Sequence, residues 1–156
     1  MTQDATKYED ILNVAFDEIP VPKFVPNGGW EFICRGASFK PAQEEGKSHV
    51  VNFMYQPEEP MEDVDNDELA ALGDFDYREA KIFHKFWIKP GSGSDLHALR
   101  EHLTKHGVDL GGMSVAEGLK AVKNTRINGI VGLKQFQRQD GTSAEDNVIT
   151  NFTTIQ

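Results

Sequence analysis

The sequence predicts a mainly β fold with some helix: one small barrel of five strands, with a helical insertion between the third and fourth. Three observations predict it. Short runs of alternating apolar and polar residues recur along the chain, which is the period of a half-buried strand. Glycines stand inside two of these runs, at Gly36, Gly129 and Gly132, where a small barrel needs bends. The helical signals between the strands are confined to one stretch, residues 94–122.

At 156 residues the chain suits one domain with a single core. Residues 4–19 carry Tyr8, Ile11, Leu12, Ala15, Phe16 and Ile19 at helical spacing, so residues 1–20 read as an N-terminal arm or short helix. Residues 21–156 form the domain proper. Three prolines and two glycines in residues 19–29 give an extended lead-in. The first strand is expected from Trp30 to Lys40 and the second from His49 to Gln56, joined by a turn at Pro41–Lys47.

Residues 57–79 interrupt what would otherwise be a hairpin. Two prolines and few β-branched residues suggest a long, partly mobile acidic loop. The third strand is expected over Ala80–Lys89. Ser94 or Asp95 caps a helix whose inner face is Leu96, Leu99 and Leu103, and Gly107 stops it. Ser114 and Glu117 form a capping box for a second short helix ending near Val122. Strands over Thr125–Gln137 and Asn147–Thr153 close the pattern, with a turn at Asp140-Gly141 between them. Five strands with helix between the third and fourth is the order of an oligonucleotide-binding (OB) type Greek-key barrel.

Net charge is −9, but its distribution is uneven. Residues 58–79 hold ten acids and one base, and residues 1–20 hold five acids and one lysine, so the remainder carries +4. Local field matters more than total charge when a polyanion binds. No apolar run approaches the roughly 20 residues of a membrane span, and the N-terminus does not read as a secretory signal. The lone Cys34 excludes an internal disulfide and fits a reducing, cytoplasmic setting.

The third strand carries the chemistry. Lys81, Phe83, Lys85, Trp87 and Lys89 share one face, and Ile82, His84, Phe86 and Ile88 share the other. The second set belongs in the core. The first alternates ammonium groups and rings at about 6.6 Å, two residue rises, close to one nucleotide step. Rings stack on bases while lysines meet phosphates. Core packing, or lysines that merely guard a sheet edge, is the competing account. Both faces carry large apolar groups, however, and they cannot all be buried while three lysines stay in water.

The fourth strand repeats the pattern: Lys134, Phe136 and Arg138 share a parity with Arg126 and Asn128, while Ile127, Val131 and Leu133 point to the core. Arg35 has the opposite parity to the core-forming Trp30 and Phe32 and joins the binding face. On the second strand Phe53 is expected in the core and Tyr55 at the ligand.

Other chemistries are poorly supported. Gly46-Lys47-Ser48 resembles the end of a phosphate-binding loop, but position 41, where its first glycine belongs, is proline. His102 and His106 have zinc-compatible spacing but lack a convergent third ligand, and are expected on a solvated helix face. His84 is expected to be buried and hydrogen-bonded. The acids from Asp63 onward lack the glycine and glutamate of a calcium loop. No nucleophile–base motif is present, so the protein is read as a non-enzyme with no cofactor and no metal.

Together these segments resemble the phage-encoded OB-fold single-stranded DNA-binding proteins over roughly residues 19–153. The matching residues are Gly29-Trp30-Glu31-Phe32, Glu45-Gly46-Lys47-Ser48, Lys81-Ile82-Phe83-His84-Lys85-Phe86, the leucine helix with Gly107, Asp140-Gly141 and Asn147-Val148-Ile149. The resemblance implies a protein that coats single-stranded DNA in phage replication, recombination or repair, in the host cytoplasm. Two departures stand out: a longer acidic insertion, and a C-terminal stretch, Asn151–Gln156, without acids. The acidic loop 58–79 is therefore expected to compete with DNA for the basic face, or to dock replication or recombination proteins. Homo-oligomerisation stays open, as does the choice of DNA over RNA. The alternative is an OB-like protein-interaction or accessory module that binds no nucleic acid; a metal-dependent hydrolase is a weaker third.

Overall fold

A computed structural model describes residues 12, 13, 15 and 23–155. The N-terminal arm expected over residues 1–20 thus lies outside the described residues except at Leu12, Asn13 and Ala15. The elements are β1 (Gly28–Lys40), β2 (His49–Pro60), α1 (Asn66–Ala71), β3 (Ile82–Ile88), α2 (Gly93–Lys105), α3 (Val115–Ala121), β4 (Arg126–Gln137) and β5 (Ser143–Thr153). The five strands form one open antiparallel sheet in the order β3-β2-β1-β4-β5. The sheet curls enough to bring parts of its two edge strands, β3 and β5, within 8 Å of each other at Cα.

Alternation decides which side is core. Val51, Phe53 and Tyr55 of β2, Ile82 and Ile88 of β3, and Ile127 and Val131 of β4 all turn inward and are buried. Trp30, Phe32 and Cys34 of β1 join them. The bend expected at Gly36 is a bulge, where the β1–β2 register shifts between Cys34 and Gly36 and Gly36 takes a positive φ of 153°. At Gly129 the reason for glycine is space: an added Cβ would collide with Ile149 Cγ2 and sit 3.4 Å from the Phe32 ring.

Helix α2 lies against β3 and β5. Ser92 caps it in place of the expected Ser94 or Asp95, which lie inside its first turn; Ser92 accepts from the Asp95 N–H at 3.2 Å, and Leu99, His102 and Leu103 form the buried face. Leu96, expected on that face, is exposed in the first turn. The capping box at Ser114 and Glu117 opens α3 as expected. Leu133, also expected in the core, is exposed. The β1–β4 pairing runs only as far as Val131, opposite Gly28. Beyond Val131, β4 has β5 alone as a neighbour, and the two continue as a hairpin arm.

The acidic segment differs most from expectation. Strand β2 runs on to Pro60, into the expected loop. The acids that follow are used as backbone acceptors. Asp63 takes the Gly29 N–H at 3.0 Å, Asp65 caps α1, and Asp76 caps a 3-10 turn at Tyr77–Glu79. Buried Val64 and Leu72 anchor the segment, and the Tyr77 ring meets Trp30 at 4.9 Å. The low-hydrophobicity signal is real, but two apolar anchors and several capped turns outweigh it. The lead-in is tied down as well: Asn147 accepts from Val25 N–H at 2.9 Å and donates to the Val25 carbonyl at 3.0 Å. Among the described residues no helix is long and apolar enough to cross a membrane.

Candidate nucleic-acid interface

The outward side of β1, β2 and β3 is built of cross-strand rows. Lys40, Val50 and Trp87 form one row; Ser38, Asn52 and Lys85 the next; Gly36, Met54 and Phe83 the third. Successive rows are two residues apart, about 6.6 Å along the strand. The rings of Trp87 and Phe83 are 61% and 49% exposed, large values for such apolar groups.

The β4–β5 arm faces these rows. Lys134 pairs with Asp146 across the arm, and Phe136 pairs with Ala144. Between arm and sheet lies a groove of about 800 Å³ lined by Asn52, Phe83, Lys85, Trp87, Lys134 and Phe136, with His84, Asp146 and Asn147–Ile149 completing the wall. The same floor residues, Asn52, Lys85 and Trp87, continue into a second depression of about 560 Å³ beneath the β1–β2 loop, where Lys40 and Lys47 stand. Across both parts four lysines face two acids, Glu44 and Asp146. On a chain of net charge −9 this surface is locally cationic.

The structure brings Phe83, Lys85, Trp87, Lys134 and Phe136 together. Lys89 lies in the cleft next to the β1–β2 loop, beside Lys47 and His49. Lys81 and Arg138 are exposed but line neither part of the groove. Lys40, Lys47 and Asn52 were not anticipated. The signal for Asn52 was its parity with Met54 and Val50, opposite to buried Phe53. Lys40 and Lys47 needed the β1–β2 register.

One expected site residue, Tyr55, is corrected, and two others, Arg126 and Arg35, have carboxylate or amide partners and do not line the groove. Tyr55 is fully buried, because it shares the parity of Phe53 and Val51 and must turn inward with them. Arg126 is held by Glu58 at 2.8 Å and lies 3.9 Å from Glu31. Its guanidinium is therefore already matched by carboxylates. Arg35 is the extra residue of the Gly36 bulge and donates to Gln56 Oε1 at 2.6 Å, away from the groove.

Behind the groove wall sits a cluster of rings. His102 and His106 are buried, not solvated, and both Nε2 atoms reach the Tyr55 hydroxyl, at 2.7 and 2.8 Å. Burial lowers the pKa of His102 to about 2, and lowers that of His106 and His84. His84 is half-buried, and its neighbours are rings: Phe86, His102 and Phe152, at centroid distances of 4.8–5.3 Å. Burial pushes the Cys34 thiol up to about 11, so it is protonated at neutral pH and a poor nucleophile. Among the described residues no group of three or more His, Cys, Asp or Glu side chains is placed to hold a metal ion.

The acidic segment packs at the start of β1, and none of residues 57–79 lines the groove. This removes the geometric basis for its competing with a ligand there. The chain matches no protein-family model and no curated protein sequence.

Proposed function

We propose that the protein binds single-stranded DNA without sequence preference, through the groove between the β4–β5 arm and the outward face of β1–β3. The observation that carries this reading is the exposure of Phe83 and Trp87 on one face, in register with Lys85 and opposite Lys134 and Phe136. Exposed rings offer stacking platforms to any base, and ammonium groups beside them meet the backbone. The strand order, the approach of β3 to β5 and the helices between β3 and β4 support an OB-type Greek-key barrel. On this reading the protein is not an enzyme, and it protects or presents single strands in phage replication, recombination or repair. The surface of the acidic segment lies apart from the groove and remains open to replication or recombination proteins while DNA is bound.

Titration with oligo(dT) at low and high salt, with duplex DNA as control, tests the proposal. Of the two tryptophans, Trp30 is buried and Trp87 exposed, so quenching reports the groove. The expected result is quenching by oligo(dT), an affinity that falls steeply with salt, and weak binding of duplex. No quenching at low salt would leave the face as a protein-interaction surface.

A further inference from the structure

Between helices α2 and α3 lies a cleft of about 510 Å³ with buried Leu99 and Leu103 at its base. Leu96, Met113 and Val115 also line it, and all three are exposed. Three apolar side chains in water around one cleft mark a surface that buries against something. Arg100 and His97 line it as well, and no acid does. His97 meets Glu101 at 3.0 Å, but the Arg100 guanidinium has no carboxylate partner among the described residues.

Such a cleft fits an amphipathic, acidic helix. This chain contains a matching segment. Tyr8, Ile11, Leu12, Ala15, Phe16 and Ile19 form one stripe at helical spacing. At about 100° per residue, Glu9 and Glu18 fall on the two flanks of that stripe, with Asp10 and Asp17 behind it. Residues 8–19 contain no lysine, arginine or histidine. Within this stretch Leu12 and Asn13 are helical, and Leu12 is 66% exposed. The stripe thus leaves Leu12 in water on its own copy, while the cleft stands open.

The joint to the body favours exchange. Pro20 and Pro22 stiffen the link to Lys23, whose Nζ donates to the Leu72 carbonyl at 2.8 Å. A proline-rich link is extended and semi-rigid, so it carries the segment outward. We propose that residues 8–19 of one copy dock as a helix in the α2–α3 cleft of a second copy of this chain, and that reciprocal exchange closes a two-fold dimer. The apolar stripe covers Leu96, Met113 and Val115, and a flanking glutamate meets Arg100. The cleft shares no lining residue with the single-strand groove, so docking and groove use different surfaces.

Sedimentation equilibrium of the full chain without DNA tests this at up to about 100 μM, where a contact of micromolar Kd is largely formed. Wild type is expected to rise from the 17.4 kDa monomer toward twice that mass. Leu12→Asp and Leu96→Asp, each placing a charge at an exposed position, are expected to stay monomeric. Mixed in equal amounts they should associate again, more weakly than wild type, because the first keeps an intact cleft and the second an intact segment. Trp87→Ala should associate like wild type. A monomeric wild type, association that survives Leu12→Asp or Leu96→Asp, a mixture that stays monomeric, or loss of association in Trp87→Ala overturns the proposal. These measurements contain no nucleic acid, so such a failure leaves the single-strand reading standing.

Discussion

The hydrogen bond between Tyr55 and His106 has a fixed direction. His106 Nδ1 lies 2.9 Å from the His102 carbonyl oxygen, which can only accept, so Nδ1 carries the proton. Nε2 of the neutral ring then accepts from the Tyr55 hydroxyl at 2.8 Å. The Tyr55 oxygen in turn accepts from His102 Nε2–H at 2.7 Å. The chain from His102 through Tyr55 to His106 is complete only when the His106 ring is neutral, because its Nε2 must accept. It joins β2 to α2 in the middle of the core.

Acid should break that chain. Burial lowers the pKa of both histidines in the folded protein, while in the unfolded chain they titrate near 6.5. Below that value the unfolded state binds more protons than the folded one, so stability is lost as pH falls. With its folded pKa near 2, His102 alone accounts for a loss of about 2 kcal/mol between neutral pH and pH 5. His106 and His84 add to it in the same direction. Urea melts at pH 7.5 and pH 5 measure this; equal midpoints would mean the histidines are accessible and charged in the folded state.

Replacing Tyr55 with Phe keeps the ring packing and strands two nitrogens. The expected cost is about 1–3 kcal/mol, the penalty for buried groups left unmatched. Single-strand affinity of the folded variant should not change, because the hydroxyl lies on the inward side of β2. A drop in affinity without loss of stability would return Tyr55 to the ligand face.

The groove assigns unequal roles to side chains that look alike in the sequence. Trp87→Ala should cost about 1–3 kcal/mol of single-strand binding. Lys85→Ala should lower the salt dependence, reducing the slope of log K against log salt by about 0.7, the value for one contact to a single strand. Arg126→Ala should leave that slope almost unchanged, since Glu58 and Glu31 already hold its guanidinium. Equal slopes for the two variants, measured by Trp87 quenching, would put Arg126 back in contact with phosphate.

Gly129→Ala should be disproportionately harmful for a single methyl group. The new Cβ would meet Ile149 and the Phe32 ring in the core. Overpacking of this kind typically costs about 1–3 kcal/mol. Gly132, where a Cβ meets nothing within 4 Å, is the matched control. Similar melting temperatures for the two variants would show that β4 shifts without strain.

Much of this protein is written in local alternation. A strand with one buried face has no freedom in where its side chains point, so Ile82, Phe86 and Ile88 on one side commit Phe83, Lys85 and Trp87 to the other. The same rule condemned Tyr55 to the core beside Phe53, and the sequence already contained that answer. The capping box at Ser114 is likewise local, because it involves groups three residues apart; the other cap falls at Ser92, two residues before the expected Ser94. The tertiary structure alone decided the rest. Arg126 meets Glu58 across 68 residues of chain, His102 meets Tyr55 across 47, and Asn147 meets Val25 across 122. Whether an arginine reaches a phosphate, a histidine meets water, or an acidic stretch folds depends on which distant segment lies beside it. That is settled by strand register and by the curl of the whole sheet, and neither leaves a mark on the residues within one strand.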